Sequence, residues 1–562
     1  MLSILKNLRR MQPGQPINQV SIVCRGDTGK YQNVRLFLTI KSGKPISREE
    51  LFAYTNGHFL VDEQRQFDRR YVKFDVDALC DVAAAAGGHL SRITTIEKME
   101  GGFSKALLMK KANGMEVIAK IPCRIAGPTS LTTSSEVGVL EYVRRHTSIP
   151  VPRVLSWSPT NSNPVGTEYI IMEKATGTPL FQRWGQMAEI EKLELIKNLT
   201  KLESQLSAIP FPAYGGLYLR SDTCHSKYQL DKSIDPASLF YIGPSCDRSF
   251  GADPDTDSNQ GPWGTISCLG ISIIKKELSR IASKRLKNRF MFYQGNVREQ
   301  TGILQTATGV MQKLDSHPIL AKSSQPTLWH TDLHMGNIFV AHDNSSRIVS
   351  LIDFQSISVL PMFLQAQWPV FLKPPQNYAK GLVHPKLPDN FDASDEDSKI
   401  IARREWSQAK LAKAYEISTY LENRTAHNAM NVPRVLRELF IRCGEVSDVG
   451  VIPLRACLIE IFQNWSDLGF SGQCPYSFGE EEIHLHERQF IEYQAWHEVQ
   501  QLAQECLDTD PEGWVAPQLD IMEKRRQNKE LLAMYIEQVA GEKSPEEARE
   551  MWPFFDNTCY HS

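Results

Sequence analysis

The sequence predicts an α+β molecule of two unequal parts: a small antiparallel sheet carrying one helix, then a larger, mainly helical region. Three observations lead there. Between residues 92 and 173, short strand-like runs flank a single stretch of helical spacing. Beyond residue 190, apolar residues recur every three to four positions over long segments. No internal repeat suggests a solenoid.

Residues 106–110 and 115–121 read as strands joined at Asn113-Gly114, a pair that accepts the positive φ of a tight hairpin turn. Residues 133–145 place Val137, Leu140 and Val143 or Arg144 one turn apart, as a helix does. Ile149-Pro150-Val151-Pro152 ends it, because proline lacks the N–H and clashes with the preceding turn. Residues 168–173 form a short apolar strand closed by Gly177 and Pro179. Ile190, Leu193, Ile196, Leu199, Leu202 and Leu206 then line one face of a long helix, and 406–421, 432–443, 453–465 and 487–507 read as further helices. Residues 249–264 and 373–398 read as exposed loops. The acidic run Asp392, Asp395, Glu396, Asp397 is expected to be solvated rather than a cation site.

Bulk properties narrow the function. Of 562 residues, 41% are apolar and 23% charged, ordinary for a globular protein with a sizeable core. A net charge of -2 argues against general attraction to nucleic acid. The most apolar stretch, 348–372, is interrupted by Asp353, Gln355, Gln365 and two prolines, so no transmembrane segment is expected. Eleven scattered cysteines with no Cys-x-x-Cys pair suit free thiols better than a disulfide framework or zinc site. Cys559-Tyr560-His561-Ser562 has the length of a prenylation box but lacks its aliphatic middle. At the start, Lys6, Arg9, Arg10 and Arg25 precede the first acid, Asp27. On a helix Ile4, Leu5, Leu8 and Met11 share a face opposite Lys6 and Arg10, the pattern of a mitochondrial presequence, with a disordered basic tail as the equal alternative. On this segment alone the mitochondrion and the cytoplasm stay equally open.

The chemistry concentrates in two segments. His330-Thr331-Asp332-Leu333-His334-Met335-Gly336-Asn337 leads into the apolar run Ile338-Phe339-Val340, and a second apolar run, 348–352, ends in Asp353-Phe354-Gln355. A hairpin between the runs would bring Asn337 and Asp353 together. Mg²⁺ takes hard oxygen ligands and needs only one or two from the protein besides phosphates and water. Asp353 and the Asn337 amide oxygen can supply them, leaving Asp332 to accept a proton from an attacking hydroxyl. Upstream, Gly101, Gly102 and Ser104 begin the hairpin where backbone N–H groups could approach phosphates. Lys120 ends the second strand, with Glu136 as its expected partner from the helix, although Thr133-Ser134-Ser135-Glu136 also fits a capping box.

These residues resemble the aminoglycoside phosphotransferase-like families, which write their catalytic loop His-Gly-Asp-Leu-His-x-Gly-Asn and their metal strand Ile-Asp-Phe or Ile-Asp-Trp. Glu136-Val-Gly-Val-Leu140 and Ile149-Pro-Val-Pro-Arg-Val154 are similar to that family as well, and the resemblance spans roughly residues 101–353. Leu51-Phe-Ala-Tyr-Thr-Asn-Gly57, Arg70-Tyr-Val-Lys-Phe74 and Tyr241-Ile-Gly-Pro-Ser245 resemble the fungal branch called altered inheritance of mitochondria protein 9, a mitochondrial branch, and this resemblance implies a presequence and a mitochondrial rather than cytoplasmic location.

The resemblance implies a two-lobed, protein-kinase-like fold using ATP and Mg²⁺. Asp332, with His330 in its loop, would be catalytic, Asn337 and Asp353 would hold Mg²⁺, and Lys120 would lie on the ATP phosphates. Met172, Glu173 and Ala175 would form a hinge against adenine. Three positions depart from the family: Thr331 replaces glycine, Lys105 replaces the usual asparagine or arginine, and Gln355 stands where Asp-Phe-Gly has glycine. His334 occupies the place of the protein-kinase lysine and points to a small-molecule hydroxyl acceptor. An aromatic cage for a cationic acceptor could draw on Trp368, Trp406, Trp465 or Trp496, though helical tryptophans are usually core.

The division expected is residues 1–40 as presequence and tail, 41–91 as an extension, 92–174 as the small lobe and 175–562 as the large lobe. The catalytic loop falls at 329–337 and the metal strand at 348–355. The leading reading is a phosphotransferase. The alternative is a pseudokinase scaffold that binds nucleotide or a protein partner without catalysis.

Overall fold

A computed structural model describes residues 36–220, 228–250, 259–283 and 292–555. The basic start read as a presequence, the prenylation-like end and the middle of the 249–264 stretch lie outside the described residues.

Alternation along the strands sets the small sheet. Its strands are β1 (Phe37–Ile40), β2 (Ile93–Glu100), β3 (Ser104–Lys111), β4 (Glu116–Pro122), β5 (Val154–Ser158) and β6 (Tyr169–Glu173), in the order β1-β2-β3-β4-β6-β5. The β3–β4 hairpin closes at Asn113-Gly114, where Gly114 takes φ 86. All pairings are antiparallel except β1 on β2, a parallel edge that the antiparallel expectation omits. On β4, Val117, Ala119 and Ile121 are at most 1% exposed and join Leu107 and Met109 on one face. The two-residue period turns Ile118 and Lys120 to the other face.

That first face is roofed by the extension. Helices α1 (Arg48–Phe52), α2 (Glu63–Arg70) and α3 (Val76–Ala85) lie in it, and Leu51, Phe52, Phe74, Leu79 and Ala83 share a core with the sheet. Each fully buried side chain of this kind contributes roughly 1.5–3 kcal/mol relative to exposure. The opposite face receives α4 (Leu131–His146), the helix expected over 133–145. Gly138 is required there, since a Cβ would sit 2.5 Å from the Leu217 carbonyl oxygen.

The sheet leads into a helical lobe through Thr178–Pro179, which pairs with the strand at 338–340. Helices α5 (Glu189–Ser207), α6 (Ile266–Ser283), α7 (Val297–Met311), α8 (Glu396–Glu422), α9 (Arg434–Cys443) and α10 (Ile452–Gln463) surround a core that includes Leu304, Met311, Leu436, Leu439, Leu454 and Leu458. A small sheet carrying one helix over a large helical lobe is the two-lobed arrangement of the protein-kinase-like fold.

Two boundaries depart from the expectation. Helix α8 starts at Glu396 rather than 406, because the Asp395 side chain accepts from the Ser398 N–H and caps it. Glu396 and Asp397 are therefore first-turn helix acids rather than loop residues. Helix α11 (Glu480–Leu507) likewise starts before 487.

The chain's last part returns to its first. Helices α11, α12 (Ile521–Val539) and α13 (Pro545–Met551) enclose a separate core in which Leu60 of the extension is buried with Leu507, Leu531 and Trp552. Trp514–Val515 pairs antiparallel with His58–Phe59. The Trp514 indole donates to the Asn56 carbonyl at 2.9 Å, and Arg525 donates to the Phe59 carbonyl at 3.0 Å. No helix among the described residues is long and apolar enough to cross a membrane. The described cysteines are free thiols.

Between α5 and α8, Glu203 is enclosed with the Tyr415 hydroxyl at 2.9 and 3.1 Å from its carboxyl oxygens. Burial pushes this carboxyl up to about 8, against a slight opposing effect of the Tyr415 bond. Folding thus takes up a proton between roughly pH 4.5 and 8, and stability falls as pH rises through that window. Glu203→Gln is expected to melt above the parent protein at pH 8–9, by at most roughly 5 kcal/mol, and to match it at pH 4. Thermal denaturation across pH checks this, and equal melting at both ends would refute it.

Candidate active site

Lys120, from the inner face of β4, meets Glu136 of α4 at 2.6 Å and Asp353 at 2.7 Å. The side chains of Lys120 and Glu136 are 10% and 4% exposed, whereas Asp353 is 39% exposed and faces the cleft. Burial alone would lower the Lys120 pKa, but the two carboxylates outweigh it and hold the ammonium charged. For Asp353, burial is likewise outweighed, by Lys120, and the carboxyl stays below its usual range. Burial raises Glu136, with Lys120 opposing and Asp353 adding to the rise. The capping-box alternative does not hold. Helix α4 begins at Leu131, and Thr133 donates to Glu168 at 2.7 Å, which leaves Glu136 free to face Lys120.

The hairpin between the two apolar runs forms as strands β7 (Ile338–Val340) and β8 (Ile348–Leu351), with Ile338 opposite Leu351. The Ile352 N–H donates to the Asn337 carbonyl at 3.1 Å, which brings Asn337 beside the residue preceding Asp353. The Asn337 amide nitrogen donates to the Asp332 carbonyl at 3.0 Å, so its amide oxygen is the atom left for a cation. Asp353 adopts φ 63, a left-handed conformation that costs a non-glycine residue on the order of 1–2 kcal/mol. Asp332 is exposed, and its carboxylate makes no hydrogen bond among the described residues.

His330 has a different place from the catalytic one expected. It is 3% exposed, its Nε2 donates to the Ile352 carbonyl at 3.0 Å, and its Nδ1 accepts from the Asp332 N–H at 3.3 Å. Burial keeps it below the usual imidazole range and neutral. Packed edge-on against Phe354 at 4.7 Å, it ties the loop to the end of β8 and offers no nitrogen to a reactant.

The glycine turn closes through Gly101 N–H to the Ser104 carbonyl at 3.1 Å. Neither Gly101 nor Gly102 is left-handed, and a Cβ on Gly102 would meet nothing within 4 Å. The protein's own packing does not demand glycine there, and the space a side chain would fill is open. The Gly102 carbonyl accepts from the Arg70 guanidinium at 3.1 Å. Arg70, itself 3% exposed, also donates to Gln66 at 2.6 Å and Glu512 at 2.5 Å. Lys105 turns away from the cleft, fully buried against Glu100 at 2.6 Å and the Ala53 carbonyl at 3.0 Å.

Met172 and Glu173 end β6, with Met172 opposite Ile118 and Glu173 paired to Arg153 at 3.1 Å. Ala175 lies in the link below them. Gly177 is required in that link, at φ 89 with a Cβ position 2.4 Å from the Val340 carbonyl oxygen. Trp368 and Trp465 form no cage: their indoles donate to the Ala412 and Gly472 carbonyls within the helical lobe. The exposed His334 ring accepts from the Gly336 N–H at 3.0 Å.

Arg70 and Arg248 are the residues that sequence reasoning missed. The Arg248 guanidinium lies 3.3 Å from the ring centroid of Phe103, in the glycine turn. No local motif marks Arg248, and the run Arg70-Tyr-Val-Lys-Phe74 contains Arg70 without giving it a role.

The Lys120 arrangement predicts a specific failure. Lys120→Met leaves Glu136 and Asp353 facing each other without a cation. Breaking a buried pair costs roughly 3–5 kcal/mol, and the exposure of Asp353 reduces this to about 2–3. The deficit is expected at pH 7–8 and should shrink toward pH 4 as the carboxylates protonate, which melting curves of both proteins would show. A deficit that does not change with pH would refute the electrostatic origin.

No family model matches the chain. A subtelomeric hrmA-associated cluster protein of Aspergillus fumigatus is 32% identical over 506 residues, covering 81% of this chain and 96% of the relative. A Yarrowia lipolytica protein named altered inheritance of mitochondria protein 9, mitochondrial, is 22% identical over 85% of this chain and 87% of its own length. The expected mitochondrial location agrees with that name. Among solved structures, a streptomycin–ATP–APH(2″)-IIa ternary complex is 14% identical over 67% of this chain and 94% of that one, with a TM-score of 0.33. Overlap of that size adds nothing to the fold read from the strands and helices. The chain belongs to the family of the Aspergillus fumigatus subtelomeric hrmA-associated cluster protein, with altered inheritance of mitochondria protein 9 among its more distant relatives.

Proposed function

We propose that this chain transfers the γ-phosphate of ATP to a hydroxyl of a small molecule. The observation that carries the reading is the convergence of Lys120, Glu136, Asn337 and Asp353 beside an Asp332 carboxylate that nothing else engages. Segments far apart in sequence would have no packing reason to bring these polar groups to one open cleft.

The donor set suits Mg²⁺. Lys120 contacts one Asp353 oxygen, which leaves the second oxygen and the Asn337 amide oxygen as hard ligands. Among the described residues no group of three or more His, Cys, Asp or Glu is placed to hold a metal, so the ion would take its remaining ligands from phosphates and water. Mg²⁺ bound there would supply charge neutralisation for the phosphate oxygens. Lys120, fixed by Glu136, would add a second positive charge on the phosphates. Asp332 would accept the acceptor's hydroxyl proton as that oxygen bonds phosphorus and ADP departs. His330 would hold the Asp332 loop in register. Met172, Glu173 and Ala175 would face adenine, and Gly101, Gly102 and Ser104 would border the phosphates.

A scaffold that binds nucleotide or a partner without catalysis is the second reading. The Lys120 contact with Asp353 favours it, since that oxygen is already engaged. Thermal shift with ATP, with and without Mg²⁺, tests for the nucleotide site, and phosphate transfer to an acceptor then separates the transferase from a nucleotide-binding scaffold. A Mg²⁺-dependent shift lost in Asp353→Asn is expected, because a ligand of the native state stabilises by mass action. Asp332→Asn should keep the shift while losing roughly 10²–10⁴ in turnover once an acceptor is found. No shift at millimolar ATP would overturn the transferase reading.

A further inference from the structure

We infer that Arg248 is a phosphoryl-binding residue, reaching over the glycine turn from the helical side of the cleft to the anionic end of the bound nucleotide. The inference rests on the phosphotransferase reading and adds to it a group outside the resemblance-bearing motifs.

Its placement comes from a buried anchor two residues away. Cys246 is 0% exposed, and its thiol lies 3.3 Å from the Ser135 hydroxyl, 3.4 Å from the Ser358 hydroxyl and 3.5 Å from the Ile357 carbonyl oxygen. Ser135 neighbours Glu136 on α4, and Ile357–Ser358 follows Asp353 along the chain. The strand Phe240–Gly243, paired with Gly216–Leu219, carries the chain to that anchor. The segment is thus wedged between the two elements that deliver the carboxylates to Lys120. A turn at Asp247, whose carboxylate accepts from the Ser249 N–H at 2.8 Å, then projects Arg248 outward.

There the guanidinium stacks on Phe103 at 3.3 Å, while the Phe103 carbonyl is held by the Cys123 N–H at 2.8 Å. A planar cation on an aromatic face keeps its in-plane N–H donors directed outward. Among the described residues none of those donors makes a hydrogen bond or ion pair, although the guanidinium lies within electrostatic range of Asp332, Asp353 and Asp247. A cation held in place by stacking, near two cleft carboxylates yet bonded to neither, is placed for a third partner. The chemistry that satisfies a planar fork of N–H donors is a phosphate or phosphoryl group. The open space beside Gly102 lies in the same turn.

The test uses the full chain, with ATP, ADP and adenosine as probes in the presence of Mg²⁺, on the parent, Arg248→Ala, Arg248→Lys and Phe103→Leu. If Arg248 contacts the terminal phosphates, Arg248→Ala weakens ATP about ten- to a hundred-fold, weakens ADP less and leaves adenosine unchanged. Arg248→Lys restores part of the ATP affinity, and Phe103→Leu gives a smaller loss of the same pattern. Melting without nucleotide stays within error of the parent in all three. Equal ATP affinity in parent and Arg248→Ala overturns the inference while leaving the transferase reading intact. An equal loss for ATP, ADP and adenosine, with a lowered melting temperature, overturns it in favour of a purely structural arginine. Absence of ATP binding by the parent protein itself removes the reading beneath it, and the inference falls with that reading.

Discussion

A single ammonium set between two carboxylates organises this molecule. Lys120 belongs to the sheet, Glu136 to the helix packed on it, and Asp353 to the hairpin of the other lobe. In the poorly polarisable interior an unmatched charge is costly, so each element has its position fixed by the others. The apolar contacts around the triad agree with that geometry: Val137 and Leu140 of α4, Met172 of β6, and Ile338, Leu351 and Phe354 beside the hairpin share one core. Two negative charges against one positive leave an excess that suits a cleft for a cation. The left-handed backbone of Asp353 is tolerated because Lys120 on one side and the Ile352–Asn337 bond on the other hold that residue in place.

What could be read beforehand follows how local each signal is. Asp332, Asn337 and Asp353 lie within one loop and one hairpin, so spacing alone brought them together. The β3–β4 hairpin was legible from Asn113-Gly114, and α4 from its apolar period. His330 shows the limit: motif adjacency marks it as a reactant, whereas its burial against Phe354 depends on packing that no short window contains. Helix α7 carried a signal that passed unread, because Asn296 and Glu299 form a reciprocal capping box at its start. The parallel edge strand β1 is too short for alternation to announce it. The bracing role of Arg70 was hidden for a different reason, since its partners Gly102 and Glu512 lie 32 and 442 positions away.

Lys105 is the departure from family pattern that the structure explains most fully. Lys98 and Lys105, both with side chains 0% exposed, share the Glu100 carboxylate and the Ala53 carbonyl, and Lys98 also donates to the Glu50 carbonyl. Burial pushes Lys98 down to about 8. Glu100 also accepts from the Thr55 N–H at 2.8 Å, so one carboxylate fastens the extension to the base of the glycine turn. Two ammonium groups on one carboxylate are tolerable inside because backbone carbonyls complete their coordination. A lysine that would sit oddly beside phosphates is instead a rivet on the outer face of the sheet.

The fastening of Trp514 and Glu512 onto residues 54–70 has a consequence for how the chain comes into being. Those contacts span 442 to 460 positions, among the longest separations a chain of 562 residues permits. Long-range pairings are slow to form, and a growing polypeptide can make these only when nearly all of it has emerged. The glycine turn therefore receives its final brace last. Until then its supporting arginine would have to share buried surroundings without its carboxylate, so an incomplete chain is held in a state with a loosened glycine turn. A polypeptide that crosses a membrane unfolded and beginning-first would meet the same delay a second time, on arrival.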